Sequence, residues 1–232
     1  MAYQARTTSQ AIRLNNSYGM VLPAFALLRV RLEQTIVCSY LLHEDEAKGI
    51  GSFIMYTSIK RHKNKTAVLD DPLLRSRLRR FDTPDSKISA EEMQASLKSD
   101  FNPDTDKFQR EWTDLDLRSM ARRRDKLVAS GHRLQKLPLE RDYLAAYKLA
   151  SSVVHSDCLS YSYEFLDYFD VEGRPTLLPV MHWGFSSAAL CAYYDILQFY
   201  EVLTFLKVDA CEKFDALYAR WLEVRDQFMP KI

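Results

Sequence analysis

The stretch PAFALLRVRLEQTIVCSYLLH, residues 23–43, decides the architecture. Pro23 stands where a first helical turn accepts proline, because the N–H it lacks is one that a helix N-terminus leaves unpaired anyway. The apolar pattern then continues to about His43, which predicts a long core helix. Advancing 100° per residue places Leu22, Phe25, Arg29, Glu33, Ile36 and Tyr40 on one stripe, with Arg31, Gln34 and Cys38 on the opposite face. Arg29 and Glu33 therefore fall within an apolar face, four residues apart, at the spacing that lets two opposite charges pair.

Before this helix lies a short amphipathic segment broken by Asn15-Asn16-Ser17. After it, Glu44-Asp45-Glu46 and Gly49-Ile50-Gly51 mark a turn, and the apolar run Phe53 to Ile59 predicts a second helix ending at Lys60-Arg61-His62-Lys63. Residues 81–112 are polar and punctuated by Pro84 and Pro103, and they read as an irregular insertion containing a short helix that starts at Ser89-x-x-Glu92, a capping-box spacing. Thr113-x-x-Asp116 opens a basic helix that Gly131 stops, and Pro138 opens another carrying Tyr143, Tyr147 and His155. Glu172-Gly173-Arg174-Pro175 is a turn before an aromatic helix from Trp183 to Leu206, and a last amphipathic helix runs from about Asp209 to Phe228. The expected fold is an all-α bundle of seven to nine helices, one domain over residues 1–232.

Composition agrees with this. Hydrophobic residues make up 47% of the 232-residue chain, enough for a substantial core, and only 6 glycines argue against a β architecture built on tight turns. Cys38, Cys158, Cys191 and Cys211 are widely spaced within apolar runs, without a Cys-x-x-Cys pair, and read as buried thiols of a reducing compartment. The first residues have no continuous apolar stretch of signal-peptide type, so the expected location is the cytoplasm. The segment 183–206 is long enough to cross a bilayer, but Asp195, Gln198 and Glu201 interrupt it; a bundle helix can present such groups to internal partners, so no membrane span is expected. Residues 60–136 hold 19 Lys and Arg against 13 Asp and Glu, whereas residues 137–232 hold 8 against 14, so the basic middle is the part suited to phosphate contact.

Chemistry concentrates in the helix leading to His155. One side collects Arg141, Leu144, Lys148, Ser151, Ser152 and His155; the other collects Ala146, Ala150, Val153 and Val154. A histidine beside a lysine and two hydroxyls is suited to general acid or base work on a phosphodiester, the cation steadying the anionic transition state. His43-x-x-Glu46 offers two ligands at a helix end, and two do not define a metal site. Neither a metal nor a cofactor is implied.

The stretches Leu28-Arg29 through Glu33 to Leu42 and Tyr147-Lys148 through Ser151-Ser152 to His155-Ser156 resemble a bacterial family of helical proteins of unknown function, whose pattern pairs an Arg-x-x-x-Glu helix with a later tyrosine, serine and valine-histidine helix. That family is distantly similar to the HEPN superfamily of helical bundles, many of them metal-independent ribonucleases of toxin and phage-defence systems with an Arg-x(4 to 6)-His motif at a dimer interface. The resemblance implies a HEPN-like core with additions. This chain departs from the motif: no histidine has an arginine at the required distance, and Lys148 stands nearest to the arginine's place before His155. Lysine supplies charge without the planar fork of donors.

If the site is active, His155 is the acid or base, Lys148 and Arg29 stabilise an anion, Glu33 orients one of them, and Ser151, Ser152 and Arg141 bind RNA or a nucleotide. The expected function is instead a non-catalytic subunit or regulator, working through a homo-oligomer or a partner protein, with an antiviral-defence or toxin–antitoxin setting. The HEPN-like ribonuclease or nucleotide-binding module is the alternative, and the sequence leaves enzyme and scaffold both open.

Overall fold

The computed structural model describes residues 2–44, 49–51, 53–54, 56–57, 101–102, 107–108, 113–128, 134, 137–148, 150–151 and 178–228. Over these the fold is all-α, as the sequence predicts. Met1–Glu44 with Leu115–Ile232 forms one compact unit, and Asp45–Asp114 forms another.

In the first unit, α1 (Ala2–Ser17) and α2 (Val21–His43) are joined by a tight corner. Asn15-Asn16-Ser17 forms the last turn of α1, and the chain reverses at Gly19, whose φ of 71° is natural for a residue without Cβ. The Met20 N–H then donates back to the Asn15 carbonyl at 2.8 Å. Next comes α3 (Leu117–Leu127), begun by Asp116, whose carboxylate accepts the Ser119 N–H at 2.7 Å. Asp125 near its end performs the same service for α4 (Leu139–Asp142): its two oxygens accept the Leu139 and Glu140 N–H groups, each at 3.0 Å. Pro138 thus opens a helix, as expected, with the cap supplied from the preceding one. The helix widens into a π turn over Tyr143–Tyr147, then returns to α-helix at Lys148. The chain ends with α5 (Leu178–Phe205), which begins earlier than the sequence suggests, and α6 (Cys211–Phe228).

Helix α2 is the centre of this unit, packed by α1, α5 and α3, while α6 lies on α5. Phe25, Leu28, Leu32 and Ile36 are fully buried, together with Leu197 and Tyr194 of α5. Here the expected facing of α2 needs correction. Arg31, read as lying opposite the core stripe, is 1% exposed, whereas Arg29 and Glu33 side chains retain 23% and 34% exposure. A helix with neighbours on several sides has no single apolar face, so a projection that seeks one assigns the charges wrongly.

In the second unit, residues 49–51, 53–54 and 56–57 are helical, and the Thr57 hydroxyl donates to the Phe53 carbonyl at 2.8 Å. Gly49–Gly51, read as a turn, is therefore helix: glycine weakens a helix by about 1 kcal/mol per residue relative to alanine without forbidding it, and Gly49 is buried. The proposed insertion at 81–112 falls almost wholly outside the described residues. Within it, β1 (Phe101–Asn102) and β2 (Lys107–Phe108) form a two-residue antiparallel ladder with Phe101 opposite Phe108.

A sealed ion pair locks three helices of the first unit. Arg124 of α3 donates through Nε to Glu201 Oε1 of α5 at 2.9 Å and also through Nη2 to the same oxygen, while Ser39 of α2 donates to it at 2.5 Å. Both charged side chains are 0% exposed. Burial pushes the Glu201 carboxyl up, but the His43 imidazole 3.6 Å away, the Arg124 charge and the Ser39 hydroxyl outweigh it and keep the group below its usual range. Removing one partner of a buried pair typically costs about 3–5 kcal/mol, because the other charge is left in the core. Arg124→Ala is accordingly expected to lower the unfolding free energy by about that amount in urea denaturation. The double variant Arg124→Met, Glu201→Leu is expected to recover most of the loss, since it leaves no orphan charge.

Candidate functional site

Three polar constellations stand out among the described residues of the first unit, and only part of one was legible as a site. In that one, Arg29 Nε donates to Glu33 Oε1 at 3.1 Å, the i,i+4 pair read from the sequence. The Arg29 guanidinium lies over the Tyr147 ring, 5.0 Å from its centre, and Tyr147 stacks on Tyr143 at 4.6 Å. Burial works against the Arg29 charge, but Tyr147 and Glu33 hold its pKa above the usual arginine value. The structure thus brings the Arg29 helix to the start of the later helix. Lys148 follows in sequence and is exposed, Ser151 is half-buried, and Arg141 is exposed, whereas Ala146 and Ala150 are buried. Ser152 and His155 lie outside the described residues, as does Cys158. Among the described cysteines, Cys38 and Cys191 are buried free thiols, with burial pushing both upward in pKa, and Cys211 is partly exposed.

The second constellation is the Arg124–Glu201 lock. It assembles a histidine, an arginine and a carboxylate that the sequence reading left apart, and this combination is suited in principle to acid–base chemistry. Glu201 and Arg124 have no exposed surface, however, and Arg124 also donates to the Leu137 carbonyl at 3.0 Å, so the arrangement is a structural tie. No group of three or more metal-ligating side chains occurs among the described residues.

The third constellation opens to solvent. Asp195 of α5 accepts from Ser9 at 2.7 Å and from Arg31 Nη2 at 3.0 Å through Oδ1, and from Arg13 Nη2 at 3.0 Å through Oδ2. Arg31 is further fixed by Thr35 Oγ1 at 2.6 Å and by the Tyr194 carbonyl at 3.0 Å. Above this floor lies a cavity of about 390 Å³ between α1 and α5. Arg6, Ser9, Gln10 and Arg13 reach it from α1 at i, i+3, i+4 and i+7 spacing, and Asp195, Gln198, Phe199 and Val202 reach it from α5 at the same spacing. Asp195, Gln198 and Glu201 were read as groups that a bundle helix presents to internal partners, and Asp195 and Glu201 do find them. The contribution of α1 was missed. Its signal was the Arg6-x-x-Ser9-Gln10-x-x-Arg13 face, which gains meaning only when α5 is placed beside it.

Beside the π turn, Asp142 is mostly buried, with Oδ2 lacking a hydrogen-bond partner among the described residues. Burial, offset in part by Arg141 and Tyr193, pushes its carboxyl up to about 6. A carboxyl whose folded pKa exceeds its unfolded value of about 3.9 contributes stability that is present below that value and lost as pH rises through about 6. The difference in unfolding free energy between the natural chain and Asp142→Asn is therefore expected to change by about 2 kcal/mol between pH 4 and pH 7, with the natural chain losing ground as pH rises. Chemical denaturation at fixed pH values measures it.

Residues 1–173 match a family described as one of unknown function, DUF5677. No curated protein and no solved structure matches the chain.

Proposed function

We propose that this chain, which belongs to the family of unknown function DUF5677, is a non-catalytic helical subunit or regulator that acts in the cytoplasm through protein contacts. The observation that carries this reading is the state of the charges in the bundle. Arg124 and Glu201 neutralise each other out of reach of solvent, and Arg29 pairs with Glu33 while covering Tyr147. Groups engaged in this way hold helices together and leave little capacity to change charge during a reaction.

Contact with another chain has a surface available. Tyr3, Leu14, Tyr18 and Met20 are 81%, 57%, 75% and 51% exposed, and residues 3 and 14 lie on nearly the same side of α1. Exposed large aromatic and aliphatic side chains are typical of interfaces. The setting that the resemblance to HEPN-like bundles implies is a defence or toxin system, in which such a subunit restrains or assists an active partner.

The test is expression of the natural chain, Lys148→Ala and His155→Ala in bacteria, with total RNA followed by electrophoresis and soluble protein by quantitative blot. Intact RNA and equal growth in all three are expected. RNA breakdown by the natural chain that is lost in an equally soluble His155→Ala or Lys148→Ala variant would overturn the reading in favour of a metal-independent, HEPN-like ribonuclease. In parallel, Leu14→Glu with Tyr18→Glu is expected to leave the thermal midpoint within about 2 °C, as surface substitutions usually do, and to reduce the associated fraction in sedimentation velocity.

A further inference from the structure

The cavity between α1 and α5 has features that the fold does not require. Arg31 and Asp195 are held by the bundle, but Arg6 is exposed and makes no ion pair or side-chain hydrogen bond among the described residues. Arg13 meets Asp195 with one nitrogen while 64% of its side chain remains exposed, so its other donors stay available to a ligand. Three guanidinium groups face a single carboxylate in the lining, which leaves two positive charges uncompensated there. Gln198, only 5% exposed, lines the same cavity. Phe199 stands at the edge with 58% exposure and no aromatic neighbour among the described residues.

We infer that this cavity is a binding site for a small organic phosphate monoester that carries a ring, with Arg6 and Arg13 holding the phosphate and Phe199 stacking on the ring. Charge selects the head group: a phosphate monoester carries about −1.5 to −2 at neutral pH, which matches the excess of the lining, whereas a carboxylate supplies half of that. Arginine forks bind phosphate oxygens with two parallel hydrogen bonds. The volume of about 390 Å³ falls at the lower end of the range of about 300–1,000 Å³ in which small-molecule sites lie, so the ligand is small. An exposed aromatic face beside a cationic rim provides the apolar body with a partner. Arg31 takes no direct part: held by Asp195, Ser9 and Thr35, it supplies fixed positive charge beneath the site. The site is independent of the proposal that the chain acts through protein contacts.

The experiment titrates the full chain with phenyl phosphate, adenosine monophosphate and inorganic phosphate, reading affinity by ligand-observed and phosphorus NMR. Phenyl phosphate is expected to bind at least fivefold more tightly than inorganic phosphate. Arg6→Ala should weaken it about tenfold, the size of one lost charge-assisted hydrogen bond. Phe199→Ala should bring phenyl phosphate down to the level of inorganic phosphate and leave the latter unchanged. Both side chains are exposed, and an unchanged thermal midpoint confirms that each variant is folded. Adenosine monophosphate binding more tightly than phenyl phosphate identifies the ligand as a nucleotide; the reverse order identifies a simpler ring-bearing phosphate. Absence of binding by both organic phosphates overturns the inference. Equal affinity for inorganic phosphate overturns it too, as does binding that survives Arg6→Ala combined with Arg13→Ala.

Discussion

Two carboxylates six residues apart on α5 govern the first unit, because each receives an arginine that has been removed from water. Asp195 takes Arg31 of α2, and Glu201 takes Arg124 of α3 together with Ser39 of α2. Burying a charge without a partner would be prohibitive, so the two pairs leave α5 one register against α2. Because Arg31 meets Asp195 and Ser39 meets Glu201, the two helices run in the same direction, and Phe25 packing edge-on against Trp183 at 4.9 Å continues that alignment toward their N-termini. Hydrophobic contact alone would allow neighbouring registers of similar energy; paired buried charges do not.

The two pairs differ in their relation to solvent, and this difference separates structure from candidate function. The Glu201 side chain has no exposed surface, and its carboxyl is held below its usual range because His43, Arg124 and Ser39 outweigh the cost of burial. Around Asp195 the same kind of interaction reaches the surface, with 29% of the side chain exposed and Arg13 closing over it from α1. A buried arginine at the base of an open, arginine-rimmed cavity sets a fixed electrostatic background without reorganising, which is the arrangement that favours anion binding over bulk water.

The later helix shows how backbone geometry places side chains. At Tyr143–Tyr147 the winding becomes π, and beside it Asp142 is buried with its carboxyl pushed up to about 6. Such insertions occur often where a helix carries functional side chains. Here the π turn delivers Tyr147 beneath Arg29 and leaves Lys148 in solvent.

By itself the sequence determined the all-α character, the helix entry at Pro138 and the pairing of Arg29 with Glu33, because these depend on local features: the apolar period, a proline at a first turn and an i,i+4 spacing. It also marked Asp195, Gln198 and Glu201 as polar groups in need of partners within an apolar helix. Tertiary structure alone decided which partners those were and which arginine is buried. Arg29 and Arg31 are two residues apart on one helix, and nothing local distinguishes them; the neighbours of α2 do, by covering Arg31 and leaving Arg29 at the edge. For the same reason the face formed by Arg6, Ser9, Gln10 and Arg13 carried no meaning along the chain. It becomes one wall of a cavity only when the other wall, more than 180 residues later in the sequence, is folded against it.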